Sequence, residues 1–442
     1  MTLPAVDVPA TVTEGAGPGP AARPSYPDDG DPLGLLDLFG APFVRDPYPW
    51  LDRLRTESPV HHDPATGLWL VSRPQDVREV LLDNDRFLPD NAQSAATPLP
   101  VAVLRVFARA RFTLPAALAN NGTASHAGLR RVVTRFFNAQ RVAAAVPVIE
   151  GIAGELLDGA VRPELESTGG SDLFTGFAQI LPCRVLMELL GIKGIDPATL
   201  IRWSDASLEL YWGRPTLERQ LELAELVVEF QRWLTETVRG GAASEDSFIG
   251  ALARHRLPDG SLLDVETAVG ACFFVFIAGQ STTGQLISTV LSRALAEPGI
   301  WSRAATEEGL AEAWVDEVLR REPPVTSWRR VTARATRLGG VEVPSGAQLL
   351  LMLMGTGSDP DLFPDPERMC PRRANIRHHL AFGVGRHRCP GASLARTEAA
   401  VALRAAARAL PRVRPAVGSQ EPPMLGLLSF RAPMSVPVEQ RP

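Results

Sequence analysis

Apolar and polar positions follow two rhythms along this chain, and the helical one dominates. Apolar residues recur at helical spacing over 126–137, 140–160, 214–239, 264–297, 305–321 and 392–410, which predicts a helix in each. The stretch GLWLVSRPQDVREVLL, beginning at Gly67, reads as a short strand, a turn and an amphipathic helix. In GGVEVPSGAQLLLML, beginning at Gly339, turn residues stand between β-favouring runs, so strands are expected at 340–344 and 347–353. Another hairpin is expected near 424–438. The loops RPELESTGG and RGGAASED separate helical patterns without a break in composition, and no linker divides the body after residue 40. The expectation is a mainly α single domain over 31–442 with small β-sheets at its edge. Residues 1–30, rich in Pro, Gly and Ala, read as a disordered tail.

One segment resists both rhythms. Residues 89–120, PDNAQSAATPLPVAVLRVFARARFTLPAALAN, are long, irregular and broken by prolines. Such segments inside compact domains are commonly lids or binding loops, although a plain surface excursion has the same look. The longest apolar run, AVGACFFVFIAG from Ala268, is too short to span a bilayer.

Composition narrows the class. Of 442 residues 45% are hydrophobic and 21% charged, with net charge −5, which fits a soluble chain with a large core and not a nucleic-acid binder. Nearly all the positive charge is arginine, Lys193 being the only lysine. Cysteines at 183, 272, 370 and 389 are too few and too scattered for a disulfide scaffold or a C-x-x-C zinc site. The start of the chain lacks the basic and apolar regions of a signal peptide, so a cytoplasmic location without membrane attachment is expected.

Candidate chemistry centres on LAFGVGRHRCPGASLAR, from Leu380. Gly383 and Gly385 permit a tight turn and close approach to a bulky flat group, because no Cβ intervenes. Backbone N–H groups after Cys389, and the helix starting near Gly391, are expected to favour a thiolate, the form that binds metals. Covalent c-type heme needs C-x-x-C-H, which is absent.

The run FGVGRHRCPG closely resembles the heme-ligand signature of the cytochrome P-450 superfamily, F-G-x-G-x-H/R-x-C-x-G. The resemblance implies the P-450 fold and a non-covalent heme b (iron protoporphyrin IX). Cys389 is then the axial thiolate on iron, with Phe382, Gly383 and Gly391 against the macrocycle. Pro390 follows the cysteine and lacks an N–H, so one N–H···S bond is missing and the iron is expected to be harder to reduce. Glu317 and Arg320 match the family's buried E-x-x-R pair, a structural element that PDPERMCPRR (from Pro364) completes; alone they would read as a surface salt bridge. His126, Arg130, Arg330 and His387 match the contacts to the heme propionates.

The oxygen-handling segment departs from the family pattern. In FFVFIAGQSTTGQLIST, Ala278 and Gly279 match the residues that give oxygen room, and Thr282 matches the alcohol of A-G-x-[DE]-T-T. Ser281, preceded by Gln280, stands where the family has an acid. Serine passes protons through water but is no acid near neutral pH. Either Gln280, Ser281 and water replace the acid in an ordinary monooxygenase, or the substrate helps deliver protons, or the enzyme couples aromatic substrates such as cyclic dipeptides through C–C or C–N bonds. A heme protein that binds without turnover is the third reading.

By position, the substrate pocket takes Phe274, Val325, Trp328, Leu427 and Leu428 beside the 89–120 segment, with Tyr211 and Trp212 as a roof. The opposite face carries Arg131, Arg135, Arg386 and Arg388, which either dock an acidic ferredoxin or are simply solvated. The resemblance thus implies an oxidoreductase of specialised metabolism. It acts as a monomer on a small molecule with dioxygen and electrons from a separate ferredoxin and ferredoxin reductase.

Overall fold

A computed structural model describes residues 36–240, 247–257, 259–418 and 421–440; the segment read as a tail, 1–30, lies outside them. At its centre runs the helix Val265–Ala296. The Asp264 side chain accepts from Thr267 N and starts it, supplying one of the partners that a first turn lacks. Ala268, Val269, Gly270, Ala271, Cys272 and Phe273 are buried in an unbroken run, so every face of this part of the helix is covered. The helices Leu217–Arg239, Ile180–Leu190 and Ala392–Ala409 pack against it. By length and composition the central helix is apolar enough to cross a membrane, yet 56% of its most apolar stretch is buried inside the protein. Such a helix is also what the core of a large domain requires.

Most predicted helices form where the periodicity placed them: His126–Phe136, Ala139–Leu156, Leu217–Arg239 and Ala392–Ala409. The pattern over 305–321 yields a helix only from Leu310, because Gly309 sits at φ +75°, outside the right-handed helical region. The 89–120 segment is not wholly irregular. It contains the helix Val101–Ala110, which buries Val103 and Phe107, exposes Val101 and Leu104, and ends at a left-handed Arg111. Ile180–Leu190 and Pro197–Trp212 are the longest of the described helices that the periodicity missed. Ile180–Leu190 is apolar on nearly every side, and Pro197–Trp212 buries Ser204 and Ser207 among its apolar residues, which blurs its stripe.

The strands at 340–344 and 347–353 appear as Val341–Val343 and Gln348–Leu351, but they join different sheets. Val341–Val343 pairs with Thr336–Leu338. Gln348–Leu351 lies between Trp69–Val71 and Trp328–Thr332 in a five-stranded sheet that Val60–His62 and Phe87–Leu88 complete. The hairpin near 424–438 holds only the bridges Met424–Pro433 and Leu427–Phe430. Its chain continues into Pro437–Gln440, which pairs with Gly170–Asp172 and Val413–Pro415.

Below the central helix, Glu317 and Arg320 form an ion pair with both side chains 0% exposed. Arg320 Nε and Nη2 donate to the two carboxylate oxygens at 2.9 and 2.8 Å. Further Arg320 bonds reach the carbonyls of Gly357 and Pro366. Cys370 N and Arg373 Nε both donate to Glu317 Oε1. Every strand of this knot is needed, because a buried charge without its partner is costly. A Cβ at position 357 would lie 1.9 Å from Arg320 O, so only glycine lets the chain pass there. We predict that Arg320→Leu, which strands Glu317 in the core, lowers stability by ~3–5 kcal/mol. Chemical denaturation checks this; an unchanged midpoint rejects it.

Candidate active site

The loop before Ala392–Ala409 turns on glycines whose conformation other residues avoid: Gly383 at φ +64° and Gly385 at φ +78°. Gly383 N donates to Leu380 O at 2.8 Å and Cys389 N to Phe382 O at 2.9 Å, which aims the thiol into a cavity under the central helix. Burial pushes the Cys389 thiol above its ordinary range; the Gly391 N–H bonded to the sulfur, and then Arg130, Arg388 and Arg396, pull it back. The loop therefore does not favour a free thiolate, as the sequence had led us to expect. A metal cation facing the sulfur would complete the deprotonation. With Pro390 lacking an N–H, Gly391 is the backbone donor that reaches the sulfur.

The cavity has a volume of about 220 Å³, a little under the ~300–1000 Å³ of a usual ligand pocket. Ala278, Gly279 and Thr282 line its upper wall and Phe382, Gly383 and Gly391 its floor. Thr282 Oγ1 donates to Ala278 O at 2.6 Å. Phe274, Val325 and Trp328 also line it. Leu427 and Leu428 do not: Leu428 N donates to Trp212 O and its side chain packs in a separate apolar cluster, so Phe430 is the hairpin residue that reaches the cavity. Trp212 reaches it as well, but Tyr211 does not. Sequence reasoning missed Phe430 because the tight turn, not the apolar character, selects which side chain faces in.

Gln280 and Ser281 look the other way. Gln280 Nε2 donates to Leu200 O at 2.9 Å and to Ser204 Oγ, which ties the central helix to Pro197–Trp212 and keeps Gln280 out of the cavity. Ser281 Oγ donates to Asp205 Oδ1 at 3.4 Å. No sequence signal marked Asp205, an ordinary residue on a helix whose periodicity was blurred.

One end of the cavity is cationic. His126, Arg130, Arg330 and His387 all line it. His126 is 2% exposed and its ring lies 4.4 Å from that of His387. Burial, with Arg386 and Arg130 nearby, pushes His126 down to about 4; burial and the facing His126 push His387 down to about 3. Both rings are thus neutral near pH 7. Burial also lowers Arg330 to about 10. His387 Nε2 and Arg330 Nε are buried and without protein partners. Buried polar atoms of this kind need partners; an anionic group would accept from Arg330 Nε, and from His387 Nε2 in the tautomer that carries its proton there. Arg130 donates to Arg388 O.

Of the four arginines expected on the basic face, Arg131, Arg135 and Arg388 are exposed and Arg386 is partly buried. Arg386 is held by His126 Nδ1 and the carbonyls of Gly122 and Thr123, and Arg135 stacks over Phe136. Beside the cysteine loop, an open groove also gathers Arg55, Arg73, Arg78, Arg377, Arg388 and Arg396.

Comparison with known proteins agrees with this geometry. The cytochrome P450 family profile matches residues 222–409. The monooxygenase PikC of Streptomyces venezuelae is 34% identical over 84% of this chain and 86% of its own length. The erythromycin C-12 hydroxylase of Saccharopolyspora erythraea is 30% identical over 80% of this chain and 84% of its own. Among solved structures, cytochrome P450 CREJ in complex with (4-ethylphenyl) dihydrogen phosphate superposes with a TM-score of 0.85 at 26% identity, covering 90% of this chain and 98% of that one.

The orphaned donors yield a prediction. Arg330→Leu and His387→Leu should each weaken uptake of hemin by the apoprotein about tenfold, since a hydrogen bond to a charged group contributes ~1.5–3 kcal/mol. Absorbance titration of apoprotein with hemin checks this, and unchanged affinity rejects it.

Proposed function

The chain belongs to the cytochrome P450 family, whose members bind heme b, and from that premise we propose that it is a monooxygenase of specialised metabolism acting on an apolar small molecule. The observation that carries this reading is a lone thiol in an apolar cavity whose other end holds a buried arginine and a buried histidine with unpartnered nitrogen atoms. These residues fit a heme. Cys389 would ligate iron, while His126, Arg130, Arg330 and His387 would hold the two carboxylates. Ala278, Gly279, Phe382, Gly383 and Gly391 would border the ring. When bound, a thiolate-ligated heme supplies the electron density that favours O–O cleavage.

The chain's own residues do the rest. Phe274, Val325, Trp328 and Phe430 present apolar surface to a substrate and exclude water from it. The Thr282 hydroxyl, anchored on Ala278 O, holds a proton at the cavity's upper wall. The relative acting on erythromycin supports a natural product of that class. A carboxyl group faces Ser281, which supports oxygen insertion over oxidative coupling.

Electrons would come from a separate ferredoxin and its reductase. The arginine groove beside the cysteine loop suits an acidic partner, with association that weakens as salt rises. We place the protein in the cytoplasm as a monomer, free of membranes, on the burial of its most apolar helix and its charged composition.

Turnover under labelled dioxygen tests the reading. With redox partners and a metabolite extract, the expected product is one labelled oxygen heavier than its substrate. Loss of two hydrogens, or a mass near twice the substrate's, overturns it in favour of desaturation or coupling. Cys389→His should lose the thiolate signature in the heme spectrum, and retention of that signature refutes the ligand assignment.

A further inference from the structure

The back of the central helix carries a second, polar site. A small cavity of about 20 Å³, room for a single water, lies on that side and is lined by Gln179, Asp205, Gln280, Ser281 and Gln285 together with apolar residues. Gln280 and Gln285 are 2% and 4% exposed, and Oε1 of each is buried without a protein partner. Buried acceptors of this kind are satisfied by ordered water where a polar cavity has room for it. Asp205 stands in the middle of this wall, with Ser281 Oγ at 3.4 Å from Oδ1 and Gln179 Nε2 at 3.2 Å from Oδ2. Ser281 and Thr282 are neighbours in the chain, yet the first lines this polar cavity and the second the large apolar one.

We propose that Asp205 supplies, from the facing helix, the carboxyl group that the central helix lacks at position 281, and that it feeds protons through Ser281 and water to Thr282. The proposal rests on the monooxygenase reading, because inserting one atom of dioxygen into a substrate consumes two electrons from ferredoxin and two protons, and releases water. The bookkeeping for each proton is simple. The Asp205 O–H bond breaks as its proton passes to Ser281 Oγ. The proton already on Ser281 leaves through water toward Thr282, and the Asp205 carboxylate regains one from solvent. Asp205 touches neither substrate nor cofactor and acts only through Ser281. Its partial exposure keeps it within reach of solvent.

Electrostatics match this role. Burial pushes the Asp205 carboxyl up to about 6, against the lowering by its bonds from Ser281 and Gln179; Glu209 on the same helix raises it further. The other titratable neighbour is Cys183 on Ile180–Leu190, whose thiol burial pushes up and keeps neutral. Among the described residues no cation contributes to holding Asp205 ionised. A carboxyl titrating near 6 both gives and takes protons at working pH, as a general acid should. A serine alone cannot.

The test uses the heme-loaded full chain with Asp205→Asn, Ser281→Ala and the double variant Asp205→Asn/Ser281→Asp. In the parent chain, product formation should fall as pH rises through about 6, where Asp205 loses its proton. Asp205→Asn and Ser281→Ala should lose at least ~10-fold in product per electron consumed and lose that pH limb, with heme spectrum and substrate affinity unchanged. Returning the acid to the central helix in the double variant should restore coupling. Infrared difference spectra of the resting protein should show a carboxylic C=O band titrating near 6 that is absent in Asp205→Asn. Unchanged coupling and pH profile in Asp205→Asn, or no such band, overturns the proposal. Failure of the monooxygenase reading shows elsewhere: the parent chain then yields no oxygenated product, and the infrared band alone decides whether Asp205 is the proton store.

Discussion

An apolar space kept open inside a close-packed chain is the constraint on which the rest of this structure depends. Side chains around a void lose the contacts that packing would give them, so the walls must be held apart by elements that are stable for other reasons. The helix Val265–Ala296 serves as one such wall, locked on its other faces by Leu217–Arg239, Ile180–Leu190 and Ala392–Ala409. The opposite wall is the glycine-turned cysteine loop, whose footing is the fully buried Glu317–Arg320 knot with its bonds to the carbonyls of Gly357 and Pro366. An occupant that fills the space also stabilises the fold, because it binds only the folded chain.

The same space explains the unusual economy of positive charge. Arg330 and His387 are buried with orphaned N–H or ring nitrogen atoms, and their basicity is depressed as burial requires. In a chain folding for stability alone such groups would be a defect. They make sense as half of a set of charge-assisted bonds whose other half arrives with a dianionic ligand. Strand alternation delivers them: on Trp328–Thr332, Trp328 and Arg330 point into the cavity while Arg329 points away and stacks over Trp212.

The central helix separates two environments by a single step along the chain. Thr282 meets an apolar chamber suited to substrate, and Ser281 meets a polar pocket suited to water and a carboxyl group. Gln280 fixes the rotation of the helix by bonding Leu200 O and Ser204 on the facing helix. A departure that looks like a loss in one dimension, serine for an acid, is compensated from another element in three.

The chain's own order determined much of this. The glycine spacing around Cys389, the length and apolar character of 264–297, and the E-x-x-R and His/Arg spacings were all legible, because turn geometry and helical periodicity are properties of a short window. Tertiary structure alone decided that Val341–Val343 and Gln348–Leu351 enter different sheets, that Phe430 rather than Leu427 or Leu428 faces the cavity, and that Gln280 turns its back on it. It also brought Asp205 to Ser281 across 76 positions of sequence. Strand partners, helix rotation and the environment of a carboxyl group depend on which distant residues share a wall, and no local pattern carries that information.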